Sequence, residues 1–334
     1  MNEKLTICPP VAIFGFARPD SLKLVFERVR QACPAMLFLI LDYPREGRAD
    51  DVVGWEACKK IFETVDWPCE VKRNYAEKNM GCAERIQSGI TWVFEHVDRA
   101  MILEDDCVPD LTFFRFCGEL LEKYKDDTRI GMIAGCDEHF HVKDIDFHGD
   151  SYYFDRFSSI WGWATWKRVW RLNDVTMSYW PEVRKRYGLM DGVFRNRACT
   201  RLHLKYTDSY YNKTGGCWDG VWQSMFYKEN LLCIHPTVNQ ITNYGCGRSS
   251  RTGDDGKRHW WQRKRRNPWD RRPTEPIMFP LQHPVTMIPH IESERWRFLD
   301  SGAIRPWYKR FGYWLKHLAA VAVYKVYKHR WHLT

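Results

Sequence analysis

The sequence predicts an α/β protein, a Rossmann-like and mostly parallel sheet flanked by helices, with a basic amphipathic tail. Three observations lead there. Short apolar runs alternate with amphipathic stretches through the first 110 residues, the pattern of parallel strands joined by crossover helices. One of these runs, RAMILEDDCVPD (99–110), passes from four apolar residues straight into Glu104, Asp105 and Asp106. Acids at the carboxyl end of a buried strand sit where open α/β sheets collect their ligands. Finally, from Arg305 onward all seven charged residues are basic, and Trp307, Phe311, Trp314 and Leu318 share one helical face.

Taken in order, VAIFGFARPD opens with a β-rich run and breaks at Arg18-Pro19. Asp20 is placed to cap a helix whose Leu22, Val25, Phe26 and Val29 fall on one face. AMLFLILDYPR repeats the unit, with a strand from Met36 to Leu41 that ends in Asp42 and a Pro-broken loop, then a helix near residues 50–64. CEVKRNY, around Val71, reads as a third and more polar strand. Ile86, Ile90, Val93, Phe94 and Val97 trace the helix that carries Arg85 and delivers the chain to the central strand. Beyond the acids, Pro109-Asp110 opens a helix with Phe113, Phe114, Cys117, Leu120, Leu121 and Tyr124 inward, and RIGMIAG (129–135) is a further strand. Residues 174–215 are poorly periodic and are expected to wrap the acceptor side of a site.

The chemistry-bearing residues fall between these elements. Glu104, Asp105 and Asp106 repel one another and resist desolvation unless a cation or several donors meet them. Hard oxygen ligands suit Mg²⁺ or Mn²⁺, which take one or two protein carboxylates and leave the rest of the shell to phosphate and water. The tripeptide therefore reads as a metal–diphosphate site, with a plain acidic turn as the alternative. SSIWGWATWKRVW (158–170) holds Trp161, Trp163, Trp166 and Trp170 within ten positions, either as buried packing or as a wall for a sugar ring. GGCWDGVW (215–222) sets Asp219 between Trp218 and Trp222, surroundings that can raise a carboxyl pKa and make a usable base. LLCIHP then leads into NYGCGRSSRTGDDG, a Gly/Ser/Arg loop of the kind that closes over ligands. His139 and His141 are open between metal ligation and ordinary hydrogen bonding.

The composition bounds the class. The 334 residues are enough for one large domain or two small ones. Hydrophobic content of 44% and charged content of 28% describe a globular chain, but 17 Trp, 16 Tyr and 18 Phe raise the aromatic share to 15%, which is compatible with carbohydrate stacking. Twelve cysteines are scattered singly, without a C-x-x-C pair or zinc spacing, and are expected to be reduced thiols. MNEKLTICPP has no signal-peptide apolar core, and no window reaches the roughly 18 apolar residues of a spanning helix, so the expected location is cytoplasmic. For that reason the sequon at Asn212 is set aside. The net charge of +9 is concentrated in the tail and between Lys257 and Arg272, where eight basic residues face one acid. Such a balance attracts phosphorylated substrates, anionic membrane or nucleic acid.

Together, FARPD, LILD, the helix carrying Arg85, ILEDDCVPDLTFF, GWATW, CWDGVW and CIHP…NYGCGRSSRTG resemble, in the same order, the GT-A class of nucleotide-sugar glycosyltransferases. More narrowly they resemble N-acetylglucosaminyltransferase I and related bacterial sugar transferases, over roughly residues 8 to 255. The resemblance implies a metal-dependent, inverting transfer of a sugar from a nucleotide-diphosphate donor, with uracil as the expected base, to a glycan or lipid-linked hydroxyl. It places Arg18 and Asp42 in the nucleotide pocket, Arg85 near the diphosphate, Asp106 on Mn²⁺ or Mg²⁺, and Glu104 and Asp105 on the donor's sugar and ribose. Trp163 and Trp218 line the donor side, and Asp219 is the general base. Where the family commonly has another acid after that Asp, this chain has Gly220. The implied organisation is a catalytic domain at 1–255, a basic Pro/Trp-rich extension at 256–302, and a tail at 303–334 that lies on an anionic membrane or packs on the domain.

Two rivals stand beside this reading. A nucleotidyltransferase could use a similar sheet and metal acids, but is expected to carry a Gly- and Lys-rich phosphate loop soon after the first strand, which FGFARPD is not. A nucleic-acid-binding protein could use the basic cluster with Trp260, Trp261 and Trp269. The sugar-transfer reading expects no nucleic-acid partner. No Walker or Rossmann glycine pattern and no internal repeat occurs.

Overall fold

A computed structural model describes residues 8–137, 145–186, 197–214, 218–245 and 271–294. The amphipathic tail, most of the 257–272 basic cluster, His139 and His141 lie outside these residues. The chain divides after His290 into two compact units, of which the first holds the sheet.

The first half is built as the alternation predicts. β1 (Val11–Gly15), α1 (Pro19–Ala32), β2 (Met36–Leu41), α2 (Ala49–Phe62), β3 (Glu70–Tyr75), α3 (Cys82–His96) and β4 (Arg99–Glu104) follow one another, with parallel strands in the order β3-β2-β1-β4. Residues 37–41 of β2 are all buried because helices cover both faces of a parallel sheet. Leu22, Val25, Phe26 and Val29 are the buried face of α1, as their spacing predicts. Asp20 does not cap that helix. Pro19 already occupies its first turn, and Asp20 follows inside it, where an acid meets the positive end of the helix dipole. α3 lies close on β1 because Gly89 leaves room for Phe14, whose ring would be 2.4 Å from any Cβ there.

β5 (Cys107–Pro109) is followed by α4 (Leu111–Lys123), capped by Asp110, whose Oδ1 accepts from the Thr112 amide at 2.9 Å. β6 (Ile130–Ala134), β7 (Tyr152–Asp155), β8 (Trp163–Trp166), α5 (Lys167–Trp170), α6 (Trp180–Lys185), α7 (Arg197–Tyr211), α8 (Trp218–Glu229), β9 (Leu232–Pro236) and β10 (Ile241–Asn243) complete the described elements. The full sheet runs β3-β2-β1-β4-β8-β6-β9-β7, and β10 pairs with β5 in a separate ribbon. β8 is antiparallel to both of its neighbours, so the sheet is mixed although mostly parallel. Its sequence, WATW, looks like an aromatic cluster, and all four residues are buried. Among the described residues no helix is long and apolar enough to cross a membrane.

Residues 271–290 bind back onto this sheet unit as a strap. The Arg271 amide donates to Asn243 O, Glu275 N to Asn239 O, Ile277 N to Thr112 Oγ1, and His290 N to Phe154 O, at 2.8 to 3.0 Å. Ile277 and Leu281 are buried, and the Arg115 guanidinium lies 4.1 Å from the centre of the Phe279 ring.

Candidate active site

The site is assembled where β1, β2, β3 and β4 end. Parallel register sets Gly15 beside Leu41, Leu41 beside Tyr75 and Phe14 beside Glu104, so the residues that follow these strands share one edge.

Asp105 is 1% exposed and turned inward. Its Oδ2 accepts from the Phe16 amide at 3.0 Å, and its Oδ1 pairs with Arg18 Nη2. Asp106 is 8% exposed, and its Oδ2 pairs with Arg18 Nη1. One guanidinium thus spans both carboxylates, while Arg18 Nε is buried without an acceptor among the described residues. Burial opposes the Arg18 charge, but Asp105 and Asp106 outweigh it and hold its pKa above the ordinary arginine value. Burial also pushes the Asp105 carboxyl up, against the pull of Arg18. Glu104, the last residue of β4, is half-buried.

β10 brings a loop onto this pair. The Tyr244 amide donates to Asp106 O at 2.8 Å, and a Cβ at Gly245 would lie 1.9 Å from Asp106 Oδ2. Only glycine fits there.

Two residues expected at the ligand are both bonded to the framework. Asp42 is 3% exposed, and its oxygens accept from the amides of Tyr43, Met80 and Gly81 and from Asn79 Nδ2 at 2.8 to 3.2 Å. It organises the loop that enters α3. Arg85 is buried, with Nε on Leu41 O at 3.1 Å and Nη2 on Asn74 O and Oδ1, tying β2 to β3. Burial lowers its pKa from the ordinary value.

The tryptophans form a stack. Trp163 and Trp218 are 6.0 Å apart, Trp163 and Trp222 5.4 Å, and Trp222 and Trp170 5.2 Å. Trp163 is 0% exposed, with Trp218 and Trp222 packed against it, so it is core rather than an open wall for a sugar ring. The indole N–H groups of Trp163 and Trp218 are buried without acceptors. Trp163 pairs with Ile102 across β8 and β4, two residues before Glu104. The stack ties the start of α8, at Trp218, to β8. Asp219 is half-buried in the first turn of α8, and its neighbour Gly220 faces Tyr210 of α7.

Sequence reading missed the ion pair in which Arg272 of the strap grips both oxygens of Asp137 at the end of β6. The same signal that marked Asp106, an acid just past a buried strand, was present in GMIAGCD.

As to a metal, among the described residues no group of three or more His, Cys, Asp or Glu side chains converges to cage an ion. The donor chemistry nonetheless suits a hard cation held largely by phosphate, since Asp106 offers carboxylate oxygens at a strand end and a guanidinium already stands across them as a cation. Among the described residues Asp106 Oδ1 has only the weak Cys107 thiol on it, at 3.3 Å.

No protein-family model matches the chain, and no curated protein does. Among solved structures it is similar to 4-diphosphocytidyl-2C-methyl-D-erythritol synthase from Anaerococcus prevotii, at 10% identity over 68% of this chain and 88% of that one, with a TM-score of 0.33. It is similar also to UDP-glucose pyrophosphorylase complexed with UDP-glucose, at 8% identity, 49% and 78% coverage and a TM-score of 0.29. For apo UDP-glucose pyrophosphorylase the values are 6%, 70%, 92% and 0.34. The similarity is distant and concerns the α/β fold alone. None of these three is named as a glycosyltransferase.

Proposed function

We propose that this chain is a nucleotide-sugar glycosyltransferase that uses Mn²⁺ or Mg²⁺ and inverts the anomeric carbon, with a UDP-sugar as donor and a hydroxyl of a glycan or lipid-linked molecule as acceptor. The observation that carries the reading is the Arg18 fork across Asp105 and Asp106 at the end of β4. It gathers a guanidinium and hard oxygens where an open sheet receives a diphosphate.

In this reading Asp106 holds the metal, which when bound offsets charge on the departing nucleoside diphosphate. Arg18 binds the diphosphate and steadies the same developing charge. Asp105 positions Arg18 and the turn between β1 and α1. Asp42 and Arg85 shape the pocket from behind, and Glu104 reaches the donor sugar. Asp219 takes the proton of the acceptor hydroxyl as it attacks from the face opposite the leaving group, so one displacement inverts the centre. Trp218 positions Asp219, and its free N–H is a donor for a sugar oxygen. The basic tail is the proposed contact with an anionic leaflet.

The second reading is a nucleotidyltransferase, the class to which the similar structures belong. Against it, only three residues join β1 to α1, and the Phe16 amide in that turn is already given to Asp105 rather than left for a triphosphate.

Metal-dependent nucleotide binding tests the site. In a thermal-shift screen with UDP-sugars, stabilisation should require Mn²⁺ and vanish in Asp106→Ala. Equal nucleotide affinity with Mn²⁺ and with a chelator would refute it.

A further inference from the structure

The negative charge of Asp106 is already matched by Arg18. Arg18 occupies its Oδ2, and with Gly245 closing from the other side no further group reaches that oxygen without displacing something. A divalent ion arriving alone would have to settle beside a guanidinium, which repels it, or take Asp106 from Arg18 and leave half of that guanidinium's fork unmatched. A diphosphate arriving alone would meet Asp105 and Asp106, which share one guanidinium among the described residues. Each ligand is therefore poorly served without the other.

The two carboxylates differ in a way that resolves this. Asp105 has a second anchor, the Phe16 amide, and keeps its place whatever Arg18 does. Among the described residues Asp106 has no comparable second anchor, since its other oxygen meets a thiol. Arg18 can keep Nη2 on Asp105 as a pivot and release Nη1. Its Nε, buried and without an acceptor among the described residues, is then a second donor for the incoming phosphate oxygens.

Resting on the metal–diphosphate reading, we propose that Arg18 is an exchangeable counter-ion. It neutralises Asp106 in the empty enzyme and passes to the donor diphosphate when the metal takes Asp106. Metal and nucleotide then bind as a unit, each raising the affinity of the other by the same factor. The device keeps the acids paired between turnovers and makes the full cation set available only around a diphosphate.

The test is calorimetric, on the full chain, with Mn²⁺ alone, UDP alone, and Mn²⁺ at saturating UDP. Wild-type protein should bind Mn²⁺ at least about tenfold more tightly with UDP present, within the usual range of coupling between sites. Arg18→Gln, checked for folding by circular dichroism, should bind Mn²⁺ alone about tenfold more tightly than wild type, with the enhancement by UDP reduced to about threefold or less. Should Arg18→Gln fail to fold, Arg18→Lys keeps a charge that can hold only one carboxylate, and it should lie between the two. A folded Arg18 variant whose Mn²⁺ affinity is unchanged or weaker, or whose UDP enhancement persists, overturns the exchange. If Mn²⁺ binding at saturating UDP is lost in Asp106→Asn, the site reading stands whatever Arg18 does. If wild-type protein binds no Mn²⁺ even with UDP, both fall.

Discussion

Tyr210 fills the space that any side chain at position 220 would need, because a Cβ built on Gly220 would lie 2.1 Å from the tyrosine ring. The glycine that stands where the resembling family carries an acid is thus explained by packing between α7 and α8. Gly220→Asp should force the two helices apart and disturb Asp219 next to it. Overpacking of this kind costs about 1–3 kcal/mol. Urea unfolding should show that loss, with part of it recovered in Gly220→Asp combined with Tyr210→Ala. Unchanged stability in the single variant would mean that Tyr210 moves aside freely.

Asp42 makes a second prediction. Removing its carboxylate in Asp42→Ala takes the acceptor from the part-buried amides of Tyr43, Met80 and Gly81, and each hydrogen bond lost in this way costs about 0.5–1.5 kcal/mol. Hydrogen exchange at residues 79–81 should accelerate more than in the rest of α3. Uniform exchange throughout would assign Asp42 to ligand contact alone.

Asp219→Asn separates base from scaffold. Asparagine keeps the size and polarity at the first turn of α8 but cannot accept the proton. Nucleotide-sugar affinity and melting temperature should stay near wild type while turnover falls by about 10² to 10⁴. A variant with full turnover would move the base elsewhere.

The buried thiols set a pH dependence. Burial pushes Cys58 up to about 12, whereas an unfolded thiol titrates near 8.5. Since the folded pKa is the higher, the stability contributed by Cys58 is complete below about 8.5 and is lost as pH rises from there toward about 12. The urea midpoint should be lower at pH 10 than at pH 8, and Cys58→Ala should fall by less over the same interval. At pH 8 a maleimide should label exposed Cys33 and Cys82 but spare Cys58, Cys107 and Cys117.

What was legible in the sequence followed from strong periodicity. The face of α1, the all-apolar β2 and the acids ending β4 could be read because burial on both sides of a parallel sheet leaves few other patterns. β8 was not legible as a strand, since WATW owes its burial to β4 and β6, which are remote in sequence. For the same reason the sequence leaves Trp163 open between packing and a sugar wall, and the structure puts it in the middle of a stack. Arg85 and Asp42 are placed at the ligand by the family resemblance. Side-chain charge does not reveal that backbone carbonyls and amides have already claimed it, and only the loop around Asn79 and Gly81 makes that visible. Gly245 and the Arg272–Asp137 pair depend on contacts across more than 130 residues.

Which bond is broken decides the central claim. Phosphorus NMR can follow the full chain with Mn²⁺ and a panel of UDP-hexoses and UDP-N-acetylhexosamines, and in parallel with UTP and the matching sugar 1-phosphates. The account predicts UDP released from at least one UDP-sugar, slowly to water and faster when a hydroxyl acceptor is added, with no pyrophosphate from UTP. Pyrophosphate formed from UTP and a sugar 1-phosphate, with every UDP-sugar left intact in the absence of pyrophosphate, would contradict it and make the chain a nucleotidyltransferase.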